Sequence, residues 1–154
     1  MIAQPVIRPI PGRNMMRLVE DYEVTSLGHR IVAPGGFRSD GASIPPIGWH
    51  ATYTPWHPVV LGPAVMHDWC YLSHVIPREI ADNVFYDLLL RNGADETRAW
   101  LMVWAVAEYG GPAWEWQDRD LYELRLLWRI LRRRASDRLA LYGFPAHIIE
   151  EVAA

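Results

Sequence analysis

The stretch Ala64-Val65-Met66-His67-Asp68-Trp69-Cys70-Tyr71 sets a His-Asp pair inside an otherwise apolar run that Pro58 opens. Apolar spacing through Leu61, Ala64, Val65 and Leu72 predicts a helix, and Tyr71, one turn after His67, falls on the same face. Ile76-Pro77 reverses the chain, and Pro77 suits the first turn of a second helix, running to Asn92-Gly93 as its C-cap. That helix carries Asp82, with Phe85 and Tyr86 three and four residues on. If the two helices are antiparallel, Asp82 returns opposite His67 and Tyr71.

Outward from this pair, Asp95 caps a third helix, Glu96 to Tyr109, stopped by Gly110-Gly111-Pro112. A fourth runs from about Trp116 to Arg134, with Leu121, Leu124, Trp128 and Leu131 as its apolar stripe and Arg125, Arg129 and Arg133 as a second row. Gly143 and Pro145 set off a short terminal helix. Upstream, Met16, Leu18, Tyr22 and Val24 alternate with polar residues, and Leu27-Gly28 turns the chain back through Arg30 to Ala33. Pro34 to Gly48 is rich in Pro and Gly and cannot be helical. The expected fold is α+β, mostly α: an N-terminal β-hairpin and Gly/Pro-rich loop followed by a bundle of about four helices. Residues 1–154 read as a single domain, with hairpin and loop at 15–48, core helices at 58–110 and an Arg-rich helical tail at 112–154.

Composition narrows the setting. With 51% hydrophobic residues the chain can bury a sizeable core, and a net charge of −3 is too mild to specify a partner. Every basic residue is arginine, a pattern that GC-rich coding explains. One cysteine, Cys70, excludes an internal disulfide and a CxxC knuckle, and its place on another helix face argues against a nucleophile. No signal peptide or membrane-spanning run of about 20 apolar residues is present, so a soluble protein of the bacterial cytoplasm, or a virion-associated one, is expected. The eight tryptophans either fill the core or form an interfacial surface.

The His-Asp grouping has a chemical logic. Asp82 would accept a hydrogen bond from one imidazole nitrogen of His67, fixing the tautomer and leaving the other to activate a water. Asp68 would bind a hard cation such as Ca²⁺ together with backbone carbonyls of the glycine-rich loop around Asp40 and Gly41. Ser43, His50 and His57 are further residues that could line such a site. Zn²⁺ with His67, Asp68 and one of His50 or His57, as in a peptide or peptidoglycan hydrolase, suits this oxygen-rich set less well. A buried network that merely locks two helices together would need the same contacts among His67, Asp68, Tyr71 and Asp82.

His67-Asp68-Trp69-Cys70-Tyr71, followed by Ala81-Asp82-Asn83-Val84-Phe85, resembles the H-D-x-C-Y and A-D-x-x-F pattern of phospholipase A2. That resemblance implies His67 as general base, Asp68 as calcium ligand, Asp82 as the carboxylate partner of the histidine and Tyr71 as its hydrogen-bond donor. The chain departs from the pattern in lacking disulfides and the Y-G-x-x-x-G calcium loop.

A second resemblance, over roughly Val32 to Gly110, rests on Gly36-Phe37-Arg38-Ser39-Asp40-Gly41-Ala42-Ser43-Ile44-Pro45, the His67 and Asp82 motifs, and Ala99-Trp100-Leu101-Met102. It is to small phage and prophage proteins grouped as domain of unknown function 1353, and it implies a phage or prophage origin. Together these readings predict a metal-dependent, phospholipase A2-like hydrolase. The alternative is a non-catalytic virion, assembly or host-interaction protein. The expected partners are a phospholipid or other anionic surface, met by the Arg-rich C-terminal helix, or a virion or host protein. Nucleic acid is not expected, since that arginine face lacks interleaved aromatics.

Overall fold

The structure, a computed structural model, describes residues 1–42 and 52–115, within one compact unit spanning Met1–Trp116. Five short strands precede four helices, so the fold is α+β and mostly α. The expected long fourth helix, its arginine row and the terminal helix lie outside the described residues, as do Ser43 and His50.

The expected hairpin is present as β3 (Tyr22–Ser26) and β4 (His29–Ala33), paired antiparallel with Val24 opposite Ile31. Tyr22, Val24 and Ser26 are buried while Glu23 and Thr25 face out, the alternation of a half-covered sheet. Leu27 and Gly28 both take positive φ (48° and 80°), as a two-residue primed turn demands. The hairpin does not reach back to Met15, however. Met16–Leu18 forms β2 of a separate sheet, ordered β1 (Ile7–Pro9), β2, β5 (Arg38–Ser39). Glu20 and Asp21 separate the two sheets, and the Asp21 carboxylate accepts the Gly35 amide at 2.8 Å, fastening the crossover. Period two marks strands but does not say which partner each one takes.

Helix α1 (Pro58–Ser73) is the central element, buried along most of its length. His57 caps it, Nδ1 accepting the Val59 amide at 3.2 Å. Pro63, inside the helix, has no N–H to give the Val59 carbonyl. Asn92 replaces it: its Nδ2 donates to Val59 O at 2.8 Å and to Pro58 O at 3.0 Å. Asn92 is also the C-cap of α2 (Arg78–Arg91), so one side chain ends α2 and repairs α1. Helix α3 (Glu96–Tyr109) starts at Asp95, whose carboxylate accepts the Arg98 amide at 3.0 Å. Gly110 ends α3 as expected, but Gly111-Pro112 does not end helicity: α4 (Gly111–Glu115) begins at once, with proline in its first turn, where no intrahelical N–H is required. The core joins Val60 and Ala64 of α1 to Phe85 and Leu89 of α2 and Ala99 and Met102 of α3. Trp69 is buried, whereas Trp100 and Trp104 stand exposed on α3, so the tryptophans serve both core and surface. Among the described residues no helix is long and apolar enough to cross a membrane.

Candidate functional site

Helices α1 and α2 bring the three central residues together. His67 Nε2 lies 2.8 Å from Asp82 Oδ1, and the Tyr71 hydroxyl donates to the same oxygen at 2.8 Å. Both members of the His-Asp pair are buried, at 8% and 6% exposure, so each contact replaces lost water. Arg78, one turn before Asp82, stands 3.9 Å from its other oxygen. Asp82 Oδ1 already accepts from the Tyr71 hydroxyl and serves His67 as an acceptor too, so His67 Nε2 carries the hydrogen. Nδ1 is then the basic nitrogen. The imidazole packs between Tyr71 and Phe85, with ring centroids 4.2 and 4.7 Å away.

Arg78 was not singled out in the sequence, though its place four residues before Asp82 on one helix is a legible signal. Its Nε donates to the Tyr71 hydroxyl at 3.3 Å, and one guanidinium nitrogen donates to the carbonyls of Val106 and Ala107 at 3.0 and 2.6 Å. It therefore ties the network to the C-terminal turn of α3, where the carbonyl end of the helix favours a cation. Burial, ahead of the neighbouring charges, pushes the Tyr71 phenol up to about 12, so it remains a donor at neutral pH. Gly110 packs against this phenol: a Cβ there would sit 2.7 Å from the Tyr71 oxygen.

Asp68 faces a different partner. Ser39 of β5 donates its hydroxyl to Asp68 Oδ2 at 2.6 Å and accepts the Gly41 amide at 2.9 Å. The glycine loop thus reaches the site through Ser39, a residue passed over although it stands beside Asp40. Gly41 takes φ +78° and lies so close to Trp56 and the Pro55 carbonyl that a Cβ would come within 2.7 Å of that oxygen. Only glycine fits there.

His67, Asp68 and Tyr71 line one end of a cleft of about 420 Å³, with Gly41 and Ala42. Its remaining walls are apolar, from Ala64, Phe85, Met102, Val106 and Ala113, with Tyr109 at 70% exposure on the rim. Asp82 stands behind the histidine and is not among the lining residues. Two of the expected residues do not line this cleft. Asp40 is exposed and is not part of the wall, because the turn at Gly41 directs the next residues inward instead. His57 is spent on capping α1 and packs against Tyr53 at 4.8 Å, and it does not line the cleft. Cys70 is fully buried, and burial, with the charge of Asp68 second, pushes its thiol up to about 12, so it is inert as a nucleophile.

Among the described residues no three His, Cys, Asp or Glu side chains converge as a metal group. Asp68 is the carboxylate that lines the cleft, and its oxygens are donors of the kind hard cations take in preference to zinc.

The chain belongs to the family described as Protein of unknown function (DUF1353), whose model matches residues 16–106 and so includes β2 to β5 and His67, Asp68, Tyr71, Arg78 and Asp82. It is similar to two proteins of Sinorhizobium fredii. One, the uncharacterized protein y4iH, is 38% identical over 77 residues, covering 50% of this chain and 32% of that protein. The other, the uncharacterized protein y4jT, is 34% identical over 115 residues, covering 73% of this chain and 34% of that protein. The chain thus spans about a third of the length of these relatives. No solved structure matches it.

Proposed function

We propose that this chain is an ester hydrolase of phospholipase A2-like chemistry, acting on esters with an apolar acyl group. The observation that carries this reading is a histidine held through Nε2 by a buried aspartate while its ring lines an apolar cleft. His67 Nδ1 takes a proton from a water as the water oxygen bonds to the ester carbonyl carbon. Asp82 stabilises the resulting imidazolium, and Tyr71 and Arg78 hold Asp82 in place. On collapse of the tetrahedral intermediate the carbon–oxygen bond to the alcohol breaks, and Nδ1 returns its proton to the leaving alkoxide. The apolar walls receive the acyl chain and exclude water around the reacting carbonyl. Where Ca²⁺ is bound, Asp68 and backbone carbonyls of the Gly41 turn would hold it, and it would supply positive charge near the carbonyl oxygen. A phage or prophage origin, with action in the host cytoplasm or the virion, belongs to the same reading.

The test is hydrolysis of p-nitrophenyl esters of increasing acyl length and of phosphatidylcholine vesicles, with Ca²⁺ or EDTA. Activity is expected to rise with acyl length, and His67→Ala to reduce it by at least about a hundredfold. A His67→Ala protein as active as the wild type would overturn the mechanism. A second reading, a non-catalytic virion, assembly or host-interaction protein, draws on the depth of the His67–Asp82 pair, both under 9% exposed. It predicts no hydrolysis by the wild type on any ester, together with a loss of stability in Asp82→Ala.

A further inference from the structure

The sheet β1-β2-β5 presents a row of like charges. Arg8 lies opposite Arg17, and Arg17 opposite Arg38, so three arginines stand side by side across three strands. Residues paired in this way share a face of the sheet, and neighbouring strands are about 4.8 Å apart. The alternate face holds Leu18, Met16 and Ser39, turned inward, with Ser39 reaching Asp68. Arg8 and Arg17 are exposed, while Arg38 is buried. Like charges set directly opposite oppose the pairing of their strands, and nothing in the fold's own assembly uses Arg8 or Arg17. Among the described residues neither has an ion pair or a side-chain hydrogen bond.

The surroundings point the same way. Residues 1–19 contain Arg8, Arg13 and Arg17 and neither Asp nor Glu, in a chain whose net charge is −3. The nearest acids along the chain are Glu20, two residues past β2, and Asp40, one past β5. Beside the arginine row, Val19 donates its amide to the Val6 carbonyl at 2.8 Å, and the two valines are 50% and 49% exposed. They lie one register step from Ile7 and Leu18, which puts them on the arginine face. A free anion or a nucleic-acid backbone would have no use for two exposed valines. A lipid surface meets both features, with headgroup phosphates at the exposed Arg8 and Arg17 guanidinium groups and apolar contact just below them.

We propose that the face carrying Arg8 and Arg17, with Val6 and Val19, docks the protein on an anionic phospholipid surface. This assignment does not depend on hydrolysis, and binding alone tests it. The full-length chain is sedimented with vesicles of phosphatidylcholine alone and with vesicles containing a quarter phosphatidylglycerol. Binding is expected for the anionic vesicles only and should weaken as salt is raised. The Arg8→Glu/Arg17→Glu variant should bind at least about thirtyfold more weakly, from about 1 kcal/mol per arginine. Val6→Ser/Val19→Ser should lose severalfold at unchanged salt dependence. Both arginines are exposed, but should the charge reversal not fold, Arg8→Gln/Arg17→Gln carries the same test. The arginines beyond residue 116 are intact in every variant, so the difference reports the sheet alone. Equal vesicle binding by wild type and variant would overturn the proposal. So would tight binding of a DNA duplex or of inorganic phosphate, lost in the variant, without vesicle binding.

Discussion

Asp82 and Asp87 sit five residues apart on α2, each bound by a hydroxyl and each with an arginine four residues away. Tyr71 donates to Asp82 at 2.8 Å, and Ser26 donates to Asp87 at 2.6 Å. Arg78 lies 3.9 Å from Asp82, and Arg91 3.0 Å from Asp87. Judged by contact distance, Asp87 has the better ion pair. Yet its side chain is 30% exposed, and it serves to fasten α2 to β3, with Arg91 also donating to the Thr25 carbonyl. Asp82 is buried and has a third partner, His67, whose ring lines the cleft. The same local chemistry is therefore a surface clasp in one place and the foundation of a candidate site in the other. Burial makes the difference, because partners left behind in the interior cannot turn to water.

That contrast can be broken by experiment. Asp82→Ala strands the His67 and Tyr71 donors and leaves Arg78 without its carboxylate, and should cost about 3 kcal/mol in urea unfolding. A loss no greater than that of Asp87→Ala would mean burial is not the distinction. Next in size is an alkaline effect. Tyr71 ordinarily loses its proton near 10.0 and in the fold near about 12, so its folded form favours the protonated state. Its contribution is complete below pH 10 and is lost as pH rises towards 12. Cys70, raised from 9.0 to about 12, has the same sign and begins its loss earlier. Unfolding followed from pH 8 to 12 should show stability falling from about pH 9. Tyr71→Phe should lessen the slope above pH 10, where Tyr22, also raised to about 12 by burial, and Cys70 still contribute, and at neutral pH it should cost about 1 kcal/mol for the lost hydrogen bond. Asp87→Asn should have the smallest effect, under about 1 kcal/mol and reduced further by salt, as measured by thermal unfolding.

Much of the helical half was legible in the sequence. Pro58, Asn92, Asp95 and Gly110 mark ends that the structure keeps, because capping is settled by a few neighbouring residues. The pairing of His67, Tyr71 and Asp82 was legible too, since helical spacing and one short reversal leave little freedom between them. Arg78 and Ser39 were not singled out. Arg78 acts through a helix that follows it by about 28 residues, and Ser39 reaches Asp68 from a strand. Asp40 was expected as a cation ligand and His57 as a further lining residue, and backbone direction at Gly41 and the capping of α1 keep them out of the cleft wall.

The sequence by itself determined helices α1, α2 and α3 with their ends, and that a histidine, a tyrosine and an aspartate would meet on a helix pair. These follow from interactions within a few residues, which a chain cannot escape whatever its tertiary fold. Only the tertiary structure decided that Asp82 is buried while Asp87 is not, that Ser39 holds Asp68, and that three arginines from distant strands share one face. Burial and strand register depend on what packs from elsewhere in the chain, and no local pattern encodes that choice.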